Sequence, residues 1–144
     1  MKYTPMINKA LRLCFDAHIN QVDKSGVPYV FHPIHLAEQM DDEISIICAL
    51  LHDVVEDTKY TFEDIRNLGF SEDVIDILKL LTHDKDTPYL EYVKQITTNK
   101  IALKIKLADI KHNSDLTRLE EVNDQILDKI KVYKQALDIL TNSN

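Results

Sequence analysis

The stretch Cys48 to Thr58, CALLHDVVEDT, places a histidine and three carboxylates at the end of an apolar run. His52-Asp53 is followed one turn later by Glu56-Asp57. Such groups are costly to bury unpaired, and a divalent cation is a natural compensation. On a continuous helix, residues four apart stack on one face, so His52 would sit above Glu56 and Asp53 above Asp57. That spacing suggests a ligand pair, His52 and Asp53, and an acid/base pair, Glu56 and Asp57. The competing reading is a helix C-terminus with solvated charges.

Further candidates occur elsewhere in the chain. His32 opens a helix in VPYVFHP, just after a turn that fixes its direction. Asp109 lies in KIKLADIKHNSDL, with Lys106 three residues before it and Asn113 four residues after, on one helical stripe. A carboxylate, an ammonium and an amide there suit a metal ligand, a phosphate partner and a polar substrate contact. Of the lysines at 100, 104, 106 and 111, Lys106 is the one placed to reach a substrate. His83-Asp84 lacks a following acidic pair and reads as a helix stop. His112 points away from the Asp109 face and reads as packing around the site. His35 could hydrogen-bond near the site or lie on the surface. His18, on an apolar stripe, reads as a hydrogen-bonded residue at the edge of the core.

The elements that would position these residues are helical. Only two glycines, Gly26 and Gly69, interrupt 144 residues, and apolar residues recur at helical spacing. Helices are expected over about Thr4–Val22, His32–Met40 and Glu43–Glu56, the last apolar nearly all round and therefore central. Thr61, Ser71 and Thr87-Pro88 read as helix starts through hydroxyl caps and a first-turn proline. The final two helices are expected over Lys100–Ser114 and Val122–Leu140, with Glu120-Glu121 at the start of the last. The tail Thr141–Asn144 is expected to fray. The chain reads as a single compact all-α domain, 1–144.

Three blocks, AHINQVDKSGVPYVFHP, CALLHDVVEDT and KLADIKHNSDL, occur in order. With them the sequence resembles the HD-domain hydrolases, specifically the RelA/SpoT-type guanosine polyphosphate 3′-pyrophosphohydrolases, over roughly Ala17 to Leu119. The resemblance implies an HD-domain helical bundle. It also implies that His32, His52, Asp53 and Asp109 hold one divalent metal, usually manganese, and that Glu56 and Asp57 handle the water and its proton. Lys24 and Asn113 correspond to substrate contacts, and Ser25 lies next to the pocket. The implied reaction is removal of the 3′-pyrophosphate of ppGpp or pppGpp by a metal-activated water. Two departures bear on the substrate. Relatives generally carry a basic residue where this chain has Asp23. The spacing after Asn113 either puts Leu116 in the register of a small polar residue or implies a one-residue shift that would use Asp115. The alternatives are an HD phosphohydrolase acting on an adenosine alarmone, a nucleotide monophosphate or the 2′-phosphate of NADPH, or a non-catalytic nucleotide sensor. The length leaves no room for a synthetase domain, so a small stand-alone hydrolase is expected.

Composition narrows the partners. A net charge of −7 argues against a nucleic-acid surface. No apolar run reaches the roughly 18 residues of a membrane span, and MKYTPMINKA lacks a signal-peptide core, which favours the cytoplasm. Cys14 and Cys48 lie in apolar surroundings and read as buried reduced thiols. The expected partner is a small nucleotide substrate. Oligomeric state stays open, a homodimer included.

Overall fold

A computed structural model describes residues 1–142, and the last two residues of the expected fraying tail lie outside them. Among the described residues nine α-helices and a 3₁₀ turn follow one another, and the sole extended pairing is a bridge between Val22 and Pro28. The all-α expectation holds. No helix among the described residues is long and apolar enough to cross a membrane.

Helix α3 (Glu43–Leu51) is the hub, packed against α1 (Pro5–Ala17), α2 (Phe31–Ala37), α6 (Glu72–Leu81) and α8 (Lys100–Asn113). Every residue from Ser45 to Leu51 is buried, as an all-round apolar helix requires. Asp42 caps it by accepting from the Ser45 amide at 2.8 Å, worth about 1 kcal/mol. Helix α5 (Phe62–Asn67) starts with a reciprocal capping box between Thr61 and Asp64, and Ser71 caps α6. Helix α9 (Asp124–Thr141) closes over α7 (Tyr89–Ile96) and α8, with Ala136 and Leu140 buried.

Several boundaries differ from the periodicity, for identifiable reasons. Helix α1 stops at Ala17 rather than Val22 because the next turn is recruited elsewhere. His18 Nδ1 lies 2.8 Å from Gln21 Oε1, and Gln21 Nε2 donates to the Asp57 carbonyl at 2.8 Å. Helix α2 ends at Ala37, three residues before Met40. Pro88 is itself the cap of α7, without a side-chain bond, rather than its first residue. Glu120 and Glu121 precede α9, whose first-turn acid is Asp124.

The most consequential difference is at His52-Asp53. The expected helix through Glu56 breaks into α3 and a single turn, α4 (Val54–Asp57), with Asp53 between them at φ −106° and ψ 1°. The stacking of His52 over Glu56 on one helical face is therefore replaced by a bend. Tyr29 holds Asp53 in that bend through a short hydrogen bond from its hydroxyl to Oδ2.

Candidate active site

The site forms where α2, the α3–α4 bend and α8 meet. His32 is in the first turn of α2 and His52 caps α3, each 3% exposed, while Asp109 on α8 is 5% exposed. One ligand-capable atom from each of these three lies within 4.8 Å of the others. His32 Nε2 is 2.9 Å from Asp109 Oδ1, and His52 Nε2 is 3.7 Å from the same oxygen. Asp53 Oδ2 lies beside this group, 3.0 Å from His52 Nε2, and is itself clustered with the Glu56 and Asp57 carboxylates.

Orientation of the imidazoles supports a cation site. His52 Nδ1 donates to the Ala49 carbonyl at 2.7 Å, which turns Nε2 inward. That Nε2 is buried and makes no hydrogen bond, despite its closeness to the two carboxylates. Burial opposes charge on His52, but Asp53 and Asp109 outweigh it and raise its pKa well above the ordinary range. The two acids thus demand positive charge at this spot. A proton or a divalent ion meets that demand, and two imidazoles with two carboxylates suit a borderline metal with no thiolate needed. Cys14 and Cys48 are buried elsewhere as free thiols, each pushed up to about 12 by burial.

Asp109 is the most heavily supported of the four. Its Oδ1 also accepts from Asn113 Nδ2 at 2.9 Å, and its Oδ2 accepts from Lys106 Nζ at 2.9 Å. Burial alone would raise this carboxyl, yet Lys106 and the two histidines hold it well below the usual carboxylate range. Lys106, Asp109 and Asn113 share one stripe as their spacing suggested. Lys106 also lies over the rings of Tyr89 and Tyr92, 5.8 and 5.2 Å from their centroids.

Glu56 and Asp57 stand on the exposed rim, their carboxylates within 4.8 Å of that of Asp53. Glu56 is fixed by the backbone N–H of His83, which donates to Oε1 at 2.6 Å. Partial burial, then repulsion from Asp53 and Glu56, pushes the Asp57 carboxyl up to about 6. The two acids therefore differ in setting: one is oriented by an amide, the other is poised to exchange a proton near neutral pH.

Two adjoining lobes form the cleft. The first is lined by Asp53, Glu56, Asp57, His83, Lys106 and Asp109. The second contains Lys24, Ser25, Asp115 and Arg118, and Tyr29, Asn113, Lys129 and Tyr133 border both. Lys24 and Ser25 are thus in the cleft but away from the histidines. Ser25 Oγ donates to the Arg118 carbonyl at 2.9 Å, so its hydroxyl serves the loop.

Asp23 has a structural role that its type did not disclose. Its Oδ1 accepts from the amides of Ser25 and Val27, closing a turn in which Gly26 takes φ +80°. Its Oδ2 lies 3.5 Å from Arg118 Nη2. The negative charge at this position is matched by a cation from the 3₁₀ turn Leu116–Arg118. Asp115 is committed as well, accepting from the Thr117 amide and hydroxyl, and Leu116 is exposed.

Sequence reasoning missed several cleft residues. His83 is more than a helix stop, since its amide holds Glu56 and its ring stacks on Tyr92 with centroids 4.6 Å apart. Tyr29 anchors Asp53. Lys129 and Tyr133 reach both lobes from α9, with no motif to mark them. His18 is buried and hydrogen-bonded as expected, and Lys100, Lys104 and Lys111 are exposed.

Comparison with known proteins bears on this geometry. A guanosine-3′,5′-bis(diphosphate) 3′-pyrophosphohydrolase of Danio rerio is 34% identical over 129 residues, covering 80% of this chain and 71% of the fish protein. The chain belongs to the RelA/SpoT-type hydrolase family. The bifunctional (p)ppGpp synthase/hydrolase SpoT of Escherichia coli K12 is 34% identical over 122 residues, 74% of this chain. The matched segment is 17% of the length of that RelA/SpoT-type relative. A solved structure of a metazoan SpoT orthologue, described as hydrolysing ppGpp, superposes with a TM-score of 0.80 at 29% identity, covering all of this chain and 90% of that one. No protein-family model matches the chain.

Proposed function

We propose that this chain, as one phosphohydrolase domain over residues 1–144, removes the 3′-pyrophosphate of ppGpp-like guanosine nucleotides, leaving GDP or GTP and pyrophosphate. The observation that carries this reading is the convergence of His32, His52 and Asp109, with Asp53 against His52 and clustered with the rim acids Glu56 and Asp57. Family membership supports the same chemistry. In this reading these four residues, three buried and Asp53 half-buried, hold one divalent ion, manganese by the family resemblance. When bound, such an ion makes a water nucleophilic near neutral pH and offsets charge developing on phosphorus.

The chain's own residues have distinct tasks in this scheme. Glu56, held by the His83 amide, orients the attacking water, and Asp57, at about 6, accepts its proton. Lys106 holds Asp109 and brings positive charge to the floor of the cleft, where we place the pyrophosphate. Asn113 borders both lobes and is placed to contact the ribose region, while Lys24 and Ser25 flank the far lobe for the rest of the nucleotide. The ligand is a free nucleotide, in keeping with an acidic chain, and the proposed setting is the cytoplasm.

Asp23 is the feature that opened the alternatives. Arg118, 3.5 Å away, offsets the negative charge of Asp23 beside the cleft, which weakens the charge argument against a guanosine polyphosphate. A panel of ppGpp, an adenosine alarmone, nucleotide monophosphates and NADPH, each with manganese, tests the reading. Pyrophosphate release fastest from ppGpp is expected. Turnover of another nucleotide with ppGpp untouched would overturn the substrate assignment.

A further inference from the structure

Three imidazoles form a column beside the proposed metal centre. The rings of His32 and His112 are nearly parallel, 8° apart with centroids separated by 5.0 Å, and their Nδ1 atoms lie 2.7 Å apart. His35, one turn after His32 on α2, stacks on His112 with centroids 4.1 Å apart. Arg118 Nη1 donates to the His112 carbonyl at 2.7 Å and fixes the end of α8 against the Asp23 loop.

Two Nδ1 atoms at this separation share one proton, because two facing N–H groups or two facing lone pairs repel. In one arrangement His32 Nδ1–H donates and His112 accepts. A lone pair is then available on His32 Nε2, 2.9 Å from Asp109 Oδ1. A cation held by both atoms is what offsets the repulsion of that lone pair and the carboxylate; without a cation the contact calls for a proton on Nε2. In the other, His112 donates, and a neutral His32 carries its proton on Nε2 and cannot ligate. At His52 the choice is made by a main-chain acceptor, the Ala49 carbonyl. At His32 the atom in the corresponding place is a side-chain nitrogen, His112 Nδ1.

We propose that His112 is a positioning residue that accepts from His32 Nδ1 and so fixes the tautomer presenting His32 Nε2 to a divalent cation. The inference rests on the metal-centre reading above. Hydrogen-bond partners of this kind orient metal-binding imidazoles and influence affinity strongly.

The test is manganese affinity of the full chain, by titration calorimetry, for the unmodified protein, His112→Phe and His112→Asn. Phenylalanine keeps an aromatic ring in the column and removes the acceptor. Asparagine places its amide oxygen close to where Nδ1 stands. His112→Phe is expected to lose about 10–100-fold in affinity, with His112→Asn close to the unmodified value. Equal affinity of all three, or an Asn variant as weak as the Phe variant, would overturn the inference. Should His112→Phe fail to fold, nitrogen-15 spectra of the zinc-loaded unmodified protein decide. An unprotonated His112 Nδ1 facing a proton on His32 Nδ1 supports the assignment, and a proton on His112 Nδ1 contradicts it. Failure of the unmodified protein to take up any ion would remove the metal centre and this inference together. Uptake with indifferent variants would remove this inference alone.

Discussion

His52 Nδ1 donates to the carbonyl of Ala49, one turn earlier, at 2.7 Å. That carbonyl belongs to the last turn of α3, where main-chain acceptors lack helical partners. One contact thus satisfies the helix end and sets the imidazole, sending Nε2 toward Asp53 and Asp109. The bend that ends α3 and the orientation of His52 Nε2 toward the two carboxylates are parts of one arrangement.

Asp109 is expected to matter for stability as well as for ion binding. Asp109→Ala leaves the Lys106 ammonium, whose side chain is only 13% exposed, without its counter-charge. Breaking a buried pair in this way costs about 3–5 kcal/mol, read as a lower urea midpoint for the metal-free protein. The double variant Lys106→Met, Asp109→Leu should recover much of the loss. Because the folded-state pKa of Asp109 is depressed, its contribution is present above about pH 4 and is lost as the pH falls through the lower folded value. A single variant as stable as the unmodified protein would show that the pair contributes little.

Glu56 and Asp57 should separate kinetically. Glu56→Gln can still accept from the His83 amide, so geometry is kept while charge is lost. Its kcat is predicted to fall by about 10²–10⁴ with ion affinity unchanged. With the Asp57 carboxyl at about 6, the base is protonated below that value, so activity declines as the pH falls through it. Asp57→Asn should abolish that limb of the pH–rate profile along with most of the rate. An unchanged acid limb in Asp57→Asn would assign the proton to another group.

Asp23 is expected to shape the first loop without opposing the substrate. Asp23→Asn retains the oxygen that accepts from Ser25 and Val27, so kcat should hold and KM for ppGpp should change by less than about fivefold. Asp23→Ala removes both bonds, each worth about 0.5–1.5 kcal/mol, and should raise KM roughly tenfold by releasing Lys24 and Ser25. Steady-state kinetics of the two variants distinguishes loop geometry from loop charge.

Some of this site was legible in the amino-acid order because local constraints define it. The apolar run Ile44–Leu51 had to be buried, so the polar residues at its end had to be compensated. The spacing of Lys106, Asp109 and Asn113 alone put them on one stripe, and Thr61 and Ser71 carry cap chemistry in their side chains. The break at Asp53 was not legible, because Leu51-His52-Asp53-Val54 contains neither glycine nor proline. The contact that holds Asp53 there is tertiary, from Tyr29, 24 residues away. Tyr89, Tyr92 and Tyr133 are spaced like ordinary core residues. Only the packing of α7, α8 and α9 around Lys106 and the cleft distinguishes them. Asp23 misled because residue type reports a charge and says nothing of its partner, which is Arg118.

The central claim is that one divalent ion, held by His32, His52, Asp53 and Asp109, drives hydrolysis of a guanosine polyphosphate. The most direct measurement is pyrophosphate release from ppGpp by chelator-stripped protein titrated with manganese. The predicted result is no release without metal, rising to a plateau as one ion binds per chain. Release that proceeds equally in chelator, or protein that binds manganese yet never turns ppGpp over, would contradict it.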